Sequence, residues 1–74
     1  MFQKNLFLAK LKEKDLTQED AAKIIGVSAT TLYRKMNGRS DFTRNEIQLF
    51  RSELELTSAE VDDIFFSQNL RLRN

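Results

Sequence analysis

Residues 28–37 concentrate side chains that can bind an anion or the edge of a base. At about 100° per residue, Leu32 and Met36 point to one side of a helix, with Ala29 beside them. The remaining positions carry hydroxyl, amide or basic groups: Ser28, Thr30, Thr31, Tyr33, Arg34, Lys35 and Asn37. No acid interrupts residues 21–40. We therefore predict a helix with a polar, basic outer face, of a width that fits the DNA major groove.

Most other chemistries are disfavoured by residue types that the chain lacks. Without histidine or cysteine there is no zinc site of the usual kind, no disulfide, and no common base to activate a serine or threonine. Glu60, Asp62 and Asp63 lie too close together on one short helix to surround a cation as a calcium loop does. We predict a protein that is not an enzyme, with no cofactor, no metal and no small-molecule substrate.

The net charge of +1 hides an uneven distribution along the 74 residues. Residues 1–14 and 25–44 each carry a net charge of +3, whereas residues 45–66 carry −5. This asymmetry favours one face for an anionic partner, and the alternative is a set of solvated helix faces of mixed charge. The longest apolar run has four residues, too few for a membrane span or a signal peptide, so we expect a cytoplasmic protein.

Helix starts are marked by hydroxyl residues with an acid three positions later. Three such pairs resemble capping boxes: Thr17 with Asp20, Thr43 with Glu46, and Thr57 with Glu60. Ser28 offers a fourth cap without an acid. With the apolar spacing, they predict five helices, near 2–14, 18–25, 28–37, 44–54 and 58–66. We expect one all-α domain over residues 1–66, and a tail over 67–74 that is flexible or forms a dimer.

The predicted core follows the apolar positions of these helices. Its expected members are Phe2, Leu6, Phe7, Ala9, Leu11, Ala21, Ala22, Ile25, Ala29, Leu32, Met36, Ile47, Phe50, Leu54, Val61, Ile64 and Phe65. The residues at or beside helix starts that we expect to pack inward are Leu16, Val27, Phe42 and Leu56.

The strongest motif spans residues 17–38. It comprises Thr17-Gln18, Ala22, Gly26-Val27-Ser28, Leu32 and Asn37-Gly38. This pattern resembles the helix-turn-helix of the lambda-repressor/Cro-like family, also called the XRE-type family. The helix layout extends the resemblance over roughly residues 3–66, and residues 59–66 are similar to small phage and prophage members. The resemblance implies a compact five-helix DNA-binding domain whose second and third helices form the motif.

The resemblance also implies which residues contact DNA. The implied base contacts are Ser28, Ala29, Thr30, Tyr33 and Arg34, and the implied phosphate contacts are Gln18, Lys35, Asn37 and Arg39. Arg34 can bind guanine through O6 and N7. Three of these residues have an alternative role that does not involve DNA. Ser28 could serve only as a helix cap, Gln18 could be a solvated residue, and Tyr33 could cover the core.

Lys35 departs from the family pattern. Members usually have an apolar or aromatic residue two positions before the closing asparagine, which here is Asn37. Two interpretations follow. Either Lys35 lays its alkyl stem on the core and directs its charge outward toward a phosphate, or Met36 takes over the packing.

These observations predict sequence-specific binding of double-stranded DNA by a homodimeric transcriptional regulator, a repressor of phage or prophage type. A dimer seam is expected at Phe65, Phe66, Leu70 and Leu72, the alternative being that Phe65 belongs to the core and the last eight residues fray. The second hypothesis for function is a protein–protein module, an antitoxin or anti-repressor partner with the same fold.

Overall fold

The structure, a computed structural model, describes residues 1–67 as five helices without a strand. The helices are α1 (Lys4–Glu13), α2 (Gln18–Ile25), α3 (Ala29–Met36), α4 (Arg44–Glu53) and α5 (Ser58–Phe65). Their order and type confirm the predicted all-α class, and each end lies within two residues of its predicted position. No helix in this part of the chain combines the length and the apolar character needed to cross a membrane.

All three predicted capping boxes are formed. At the start of α2, Asp20 N–H donates to the Thr17 hydroxyl at 3.1 Å, and Thr17 N–H donates to the Asp20 carboxylate at 2.9 Å. The same reciprocal pair joins Thr43 with Glu46 and Thr57 with Glu60. Each cap satisfies N–H groups that the helix leaves without partners, a gain of about 1 kcal/mol.

Three of the four connections between helices use the same three-residue turn. Its first residue has a positive φ, its second is apolar and packs inward, and its third is the hydroxyl cap of the next helix. The turns are 15–17, 26–28 and 55–57. The first position is Gly26 in one turn, but it is Asp15 and Glu55 in the others, with φ of 59° and 54°.

Phenylalanines form the centre of the core. Phe7 and Phe50 are fully buried, and their rings meet edge to face with centroids 5.0 Å apart. Phe65 stacks against Phe50 at 6.1 Å, and Phe2 and Phe42 close the cluster from outside the helices. Such ring pairs add to the burial energy of each side chain. The cluster joins α1, α4 and α5 to the segment that precedes α4.

Three residues predicted for the core lie on the surface instead. Leu6 is 46% exposed, and Ala9 and Ala29 are exposed as well. In α1 the buried side is set by Phe7 and Leu11, which lie one turn apart. Because Leu6 and Ala9 lie about 100° and 200° around the helix from Phe7, they point away from that stripe.

The first residues of the chain run beside the end of α5. Gln3 N–H donates to the Ile64 carbonyl at 2.7 Å, and the Met1 amino group donates to the Ser67 carbonyl at 2.9 Å. Ser67 is buried, although the sequence placed it in the tail. Leu70 and Leu72, predicted for a dimer seam, lie outside the described residues.

Candidate nucleic-acid interface

A tight turn sets α3 against α2. Ala22, the alanine of the motif over residues 17–38, is 3% exposed, and its carbonyl accepts a hydrogen bond from Val27 N–H at 3.0 Å. Gly26 takes φ of 72°, a conformation that costs other residues about 1–2 kcal/mol. A Cβ added to Gly26 would meet nothing within 4 Å, so the backbone angle alone favours glycine there.

The turn fixes which side of α3 faces outward. Leu32 and Met36 are buried at 1% and 5% exposure, which anchors the inner face. Thr30 and Arg34 are exposed on the other side, and Tyr33 is 60% exposed. With that exposure Tyr33 does not serve as a cover over the core. Ala29, also exposed, stands on the surface with the other predicted base contacts.

Arg34 provides the positive charge on the outer face of α3. Among residues 1–67, no carboxylate forms an ion pair with it and no side chain hydrogen-bonds to it. An exposed guanidinium without an acid partner keeps all five N–H donors for an incoming ligand. Its planar fork matches two adjacent acceptors, such as guanine O6 and N7.

Ser28 is exposed, and its hydroxyl forms hydrogen bonds with Thr31 in the first turn of α3. The oxygen accepts from Thr31 N–H at 3.1 Å, and the hydroxyl is placed to donate to Thr31 Oγ1 at 3.0 Å. The capping role predicted for Ser28 is therefore present. A base contact by the same residue stays a prediction.

Gln18 is exposed and is the first residue of α2. The helix start beside it already holds a negative charge, because Asp20 closes the capping box. The hydrogen bond from the Thr17 backbone N–H lowers the pKa of Asp20 below its ordinary value. Since this carboxylate offsets the positive end of the helix dipole, a phosphate would be bound here by the Gln18 amide more than by the dipole.

Lys35 is where the structure contradicts a predicted phosphate contact. Its side chain is only 11% exposed, and its ammonium lies 3.2 Å from the Glu46 carboxylate and donates to the Asp41 carbonyl at 3.0 Å. The same ammonium lies 5.9 Å from the centre of the Phe42 ring. The stem packs inward, as one interpretation held, and Met36 is buried too. The charge, however, connects α3 to the start of α4 and does not reach outward.

The end of α3 presents a different set of polar groups. The Asn37 side-chain amide donates to the Tyr33 carbonyl at 2.8 Å, and Gly38 reverses the chain with φ of 81°. Arg39 N–H then donates to the Arg34 carbonyl at 2.9 Å, which completes a helix-ending motif. The side chains of Asn37 and Arg39 are exposed, so both predicted phosphate contacts remain accessible.

Lys4, at the start of α1, lies beside these groups and was not among the predicted DNA contacts. Its ammonium donates to the Asn37 side-chain oxygen at 3.2 Å, across 33 residues of chain. No pattern in the sequence indicates this contact, because it depends on how α1 packs against the rest of the fold.

The acids of α5 and its neighbours form a separate group. The Glu60 carboxylate accepts from Lys10 at 2.8 Å while it also caps α5 through Thr57 N–H. The hydrogen bond from Lys10 is the main reason that the pKa of Glu60 lies below its ordinary value. A second pair joins Lys14 and Glu55 at 2.8 Å. Within residues 1–67 no three acids are grouped so as to hold a metal ion.

The two residues of the predicted dimer seam at the end of α5, Phe65 and Phe66, differ in exposure. Phe65 is 7% exposed and lies in the phenylalanine cluster of its own chain, so it is not available to a partner's surface and the core alternative holds. Phe66 is 53% exposed, beside a shallow groove lined by Phe42, Ile47 and Arg51. Of the predicted seam, Phe66 is the member that the structure places on the surface.

The comparison with known families agrees with this geometry. A helix-turn-helix family model matches residues 8–61, which includes α2, the turn and α3. The match covers more than half of the chain, so the protein belongs to the XRE or lambda-repressor type of helix-turn-helix family. This is a family of DNA-binding regulators and not of enzymes. No curated protein sequence matches the chain significantly.

Proposed function

We propose that this protein is a transcriptional repressor of phage or prophage type that binds a specific site in double-stranded DNA as a homodimer. In this proposal α3 lies in the major groove, and transcription is blocked by occupancy of the site. A bacterial cytoplasm, where DNA is accessible, is the corresponding location.

The observation that carries the proposal is the outer face of α3. It is exposed and basic, and a buried Leu32 and Met36 hold it in one orientation. Arg34 has no acid partner among the described residues, whereas Lys35, the next residue, has one. A rigid helix with unpaired donors on one side is what base recognition in the groove requires.

The proposed contacts follow from these positions. Arg34 binds a guanine edge, Thr30 and Ala29 contact a neighbouring base or thymine methyl, and Tyr33 contacts a base or the sugar-phosphate backbone. Gln18 and Arg39 bind phosphates on either side and fix the register of the helix without selecting the sequence.

The proposal of a homodimer rests on the exposed side chain of Phe66. A large apolar side chain exposed beside a groove favours burial against a second surface. A symmetric dimer would place two α3 helices about one helical turn apart, roughly 34 Å, which corresponds to two half-sites of a pseudo-palindrome.

The test is selection of bound duplexes from a random DNA pool at the physiological ionic strength of about 0.15 M. We expect enrichment of a pseudo-palindrome with half-sites separated by about one turn of DNA. An enriched single half-site would support specific binding and overturn the dimer. Absence of enrichment, with binding that disappears as salt is added, would overturn the proposal and favour the protein–protein module.

A further inference from the structure

The cations near the end of α3 differ in what they contact. Lys35 was expected to bind phosphate, but its charge is paired with Glu46 at 3.2 Å. Asn37 also uses its amide, which donates to the Tyr33 carbonyl at 2.8 Å. Among the phosphate contacts predicted after the middle of α3, Asn37 and Arg39 are still accessible, but only Arg39 brings an accessible positive charge, unless another part of the chain contributes one.

Lys4 is that contribution. Its ammonium lies 3.2 Å from the Asn37 side-chain oxygen and is exposed. Among residues 1–67 it has no carboxylate partner, in contrast to Lys10 of the same helix and Lys14 just after it. An ammonium has three donors, so one hydrogen bond to Asn37 leaves two for a further acceptor.

The orientation of the Asn37 side chain determines where the Lys4 ammonium lies. Because its nitrogen donates to the end of α3, its oxygen points to Lys4 and fixes the ammonium beside the last turn of the helix. Any phosphate within hydrogen-bonding distance of Asn37 would also lie within a few ångströms of Lys4. The attraction at that distance is substantial even near water.

We propose that Lys4 is a DNA phosphate-binding residue that extends the interface from α2 and α3 onto the start of α1. The inference rests on the proposed DNA-binding function. In it Lys4 takes the place that the sequence assigned to Lys35, and it contributes affinity without selecting a base.

The test is the salt dependence of binding to the selected duplex for the wild type and Lys4→Ala. Each neutralised phosphate contributes about 0.9 to the slope of log K against log salt, so we expect the slope to become shallower by about that amount. Between about 50 and 200 mM salt the wild type should therefore lose roughly threefold more affinity for the duplex than Lys4→Ala does. The preference between cognate and altered duplexes should not change, and Lys4→Arg should restore the slope.

The matched control is Lys14→Ala. It removes the same charge from the residue just after the end of that helix, about 15 Å away, where the ammonium already pairs with Glu55 at 2.8 Å. We expect no change in slope for this variant. Thermal unfolding of both variants separates a binding effect from a folding effect.

The outcomes distinguish the two proposals. If the wild type binds the selected duplex and Lys4→Ala has the same slope, the role of Lys4 is overturned while the proposed function stands. If the wild type shows no specific binding, the proposed function itself fails. A slope lowered equally by Lys14→Ala would indicate general attraction and would also overturn the specific role of Lys4.

Discussion

Two regions of the molecule carry basic residues that differ in whether an acid pairs with them. On the outer side of α3, Arg34 and Arg39 are exposed and have no acid partner among residues 1–67. On the side formed by α1 and α5, Lys10 and Lys14 each form an ion pair at 2.8 Å. The net charge of the whole chain, +1, gives no sign of this difference. What distinguishes a surface suited to an anion is whether its cations are already paired.

Lys35 shows that position in the chain does not decide whether a basic residue is already paired. It follows Arg34 directly, yet Glu46 and the Asp41 carbonyl occupy its ammonium. Two neighbouring basic residues on one helix therefore have separate roles, one available to a ligand and one connecting two helices. Substitutions at these and related positions test that difference.

The largest effect is expected from Arg34→Ala. Affinity for the selected site should fall by about 1–3 kcal/mol, and the preference for one base should relax, because the side chain contacts a base edge. Unfolding should be nearly unchanged, since the guanidinium is exposed. Binding titrations against duplexes altered one base pair at a time measure both quantities. An unchanged base preference would show that α3 does not lie in the groove as proposed.

Lys35→Ala should instead lower stability. Losing a charged hydrogen bond and leaving Glu46 largely buried without its partner should reduce the free energy of unfolding by about 2 kcal/mol. The salt slope of DNA binding should stay the same, because this ammonium does not reach phosphate. Chemical denaturation and salt titration check the two parts.

Arg39→Ala is the control for Lys35, since it removes one charge four residues later. Here we expect a change in unfolding free energy within about 0.5 kcal/mol, and a salt slope shallower by about one. The opposite pattern, with Lys35→Ala lowering the slope and Arg39→Ala leaving it unchanged, would reverse our assignment.

Gly26→Ala tests the turn that orients α3. A Cβ there meets no neighbour, so the expected loss of about 1–2 kcal/mol in unfolding free energy comes from the positive φ alone. Gly26→Asn should cost less, because asparagine tolerates this conformation. Denaturation of the two variants gives the comparison. Equal losses for alanine and asparagine would mean that something other than φ requires glycine.

The smallest effect is expected on the paired side, from Glu60→Gln. A lowered pKa means that the Glu60 carboxylate stabilises the fold above its ordinary pKa of 4.5, and that this contribution is lost as the pH falls through the lowered value. Between about pH 6 and pH 3 the melting temperature of Glu60→Gln should therefore decline less steeply than that of the wild type. Glutamine keeps the oxygen that caps α5.

Glu53→Gln serves as the matched control for this pH series. Glu53 is exposed and has no ion pair within the described residues, so its variant should follow the wild-type curve. If Glu60→Gln also followed that curve, the pair with Lys10 would contribute nothing to acid sensitivity.

Local patterns predicted the fold well for a physical reason. Thr17, Thr43 and Thr57 mark helix starts because capping involves residues three apart, and Gly26 marks a turn because φ is a property of one residue. Asp15 and Glu55 could have been identified too, since each stands two positions before a capping threonine, as Gly26 stands before Ser28.

The candidate site was predictable only in part. Thr30 and Arg34 follow from helical spacing relative to the buried Leu32 and Met36. The pairing of Lys35 with Glu46, and of Lys4 with Asn37, depends on the packing of separate helices. Spacing along one helix contains no information about either contact.

The central claim is that the outer side of α3 contacts DNA and the α5 side does not. The most direct measurement is the change in backbone amide NMR shifts of the full chain when a duplex with a single half-site is added, so that one copy binds. We expect the largest changes in residues 28–39, with further changes at Gln18 and Lys4. Changes concentrated in α5, with α3 unaffected, would show that α3 is not the DNA-binding surface.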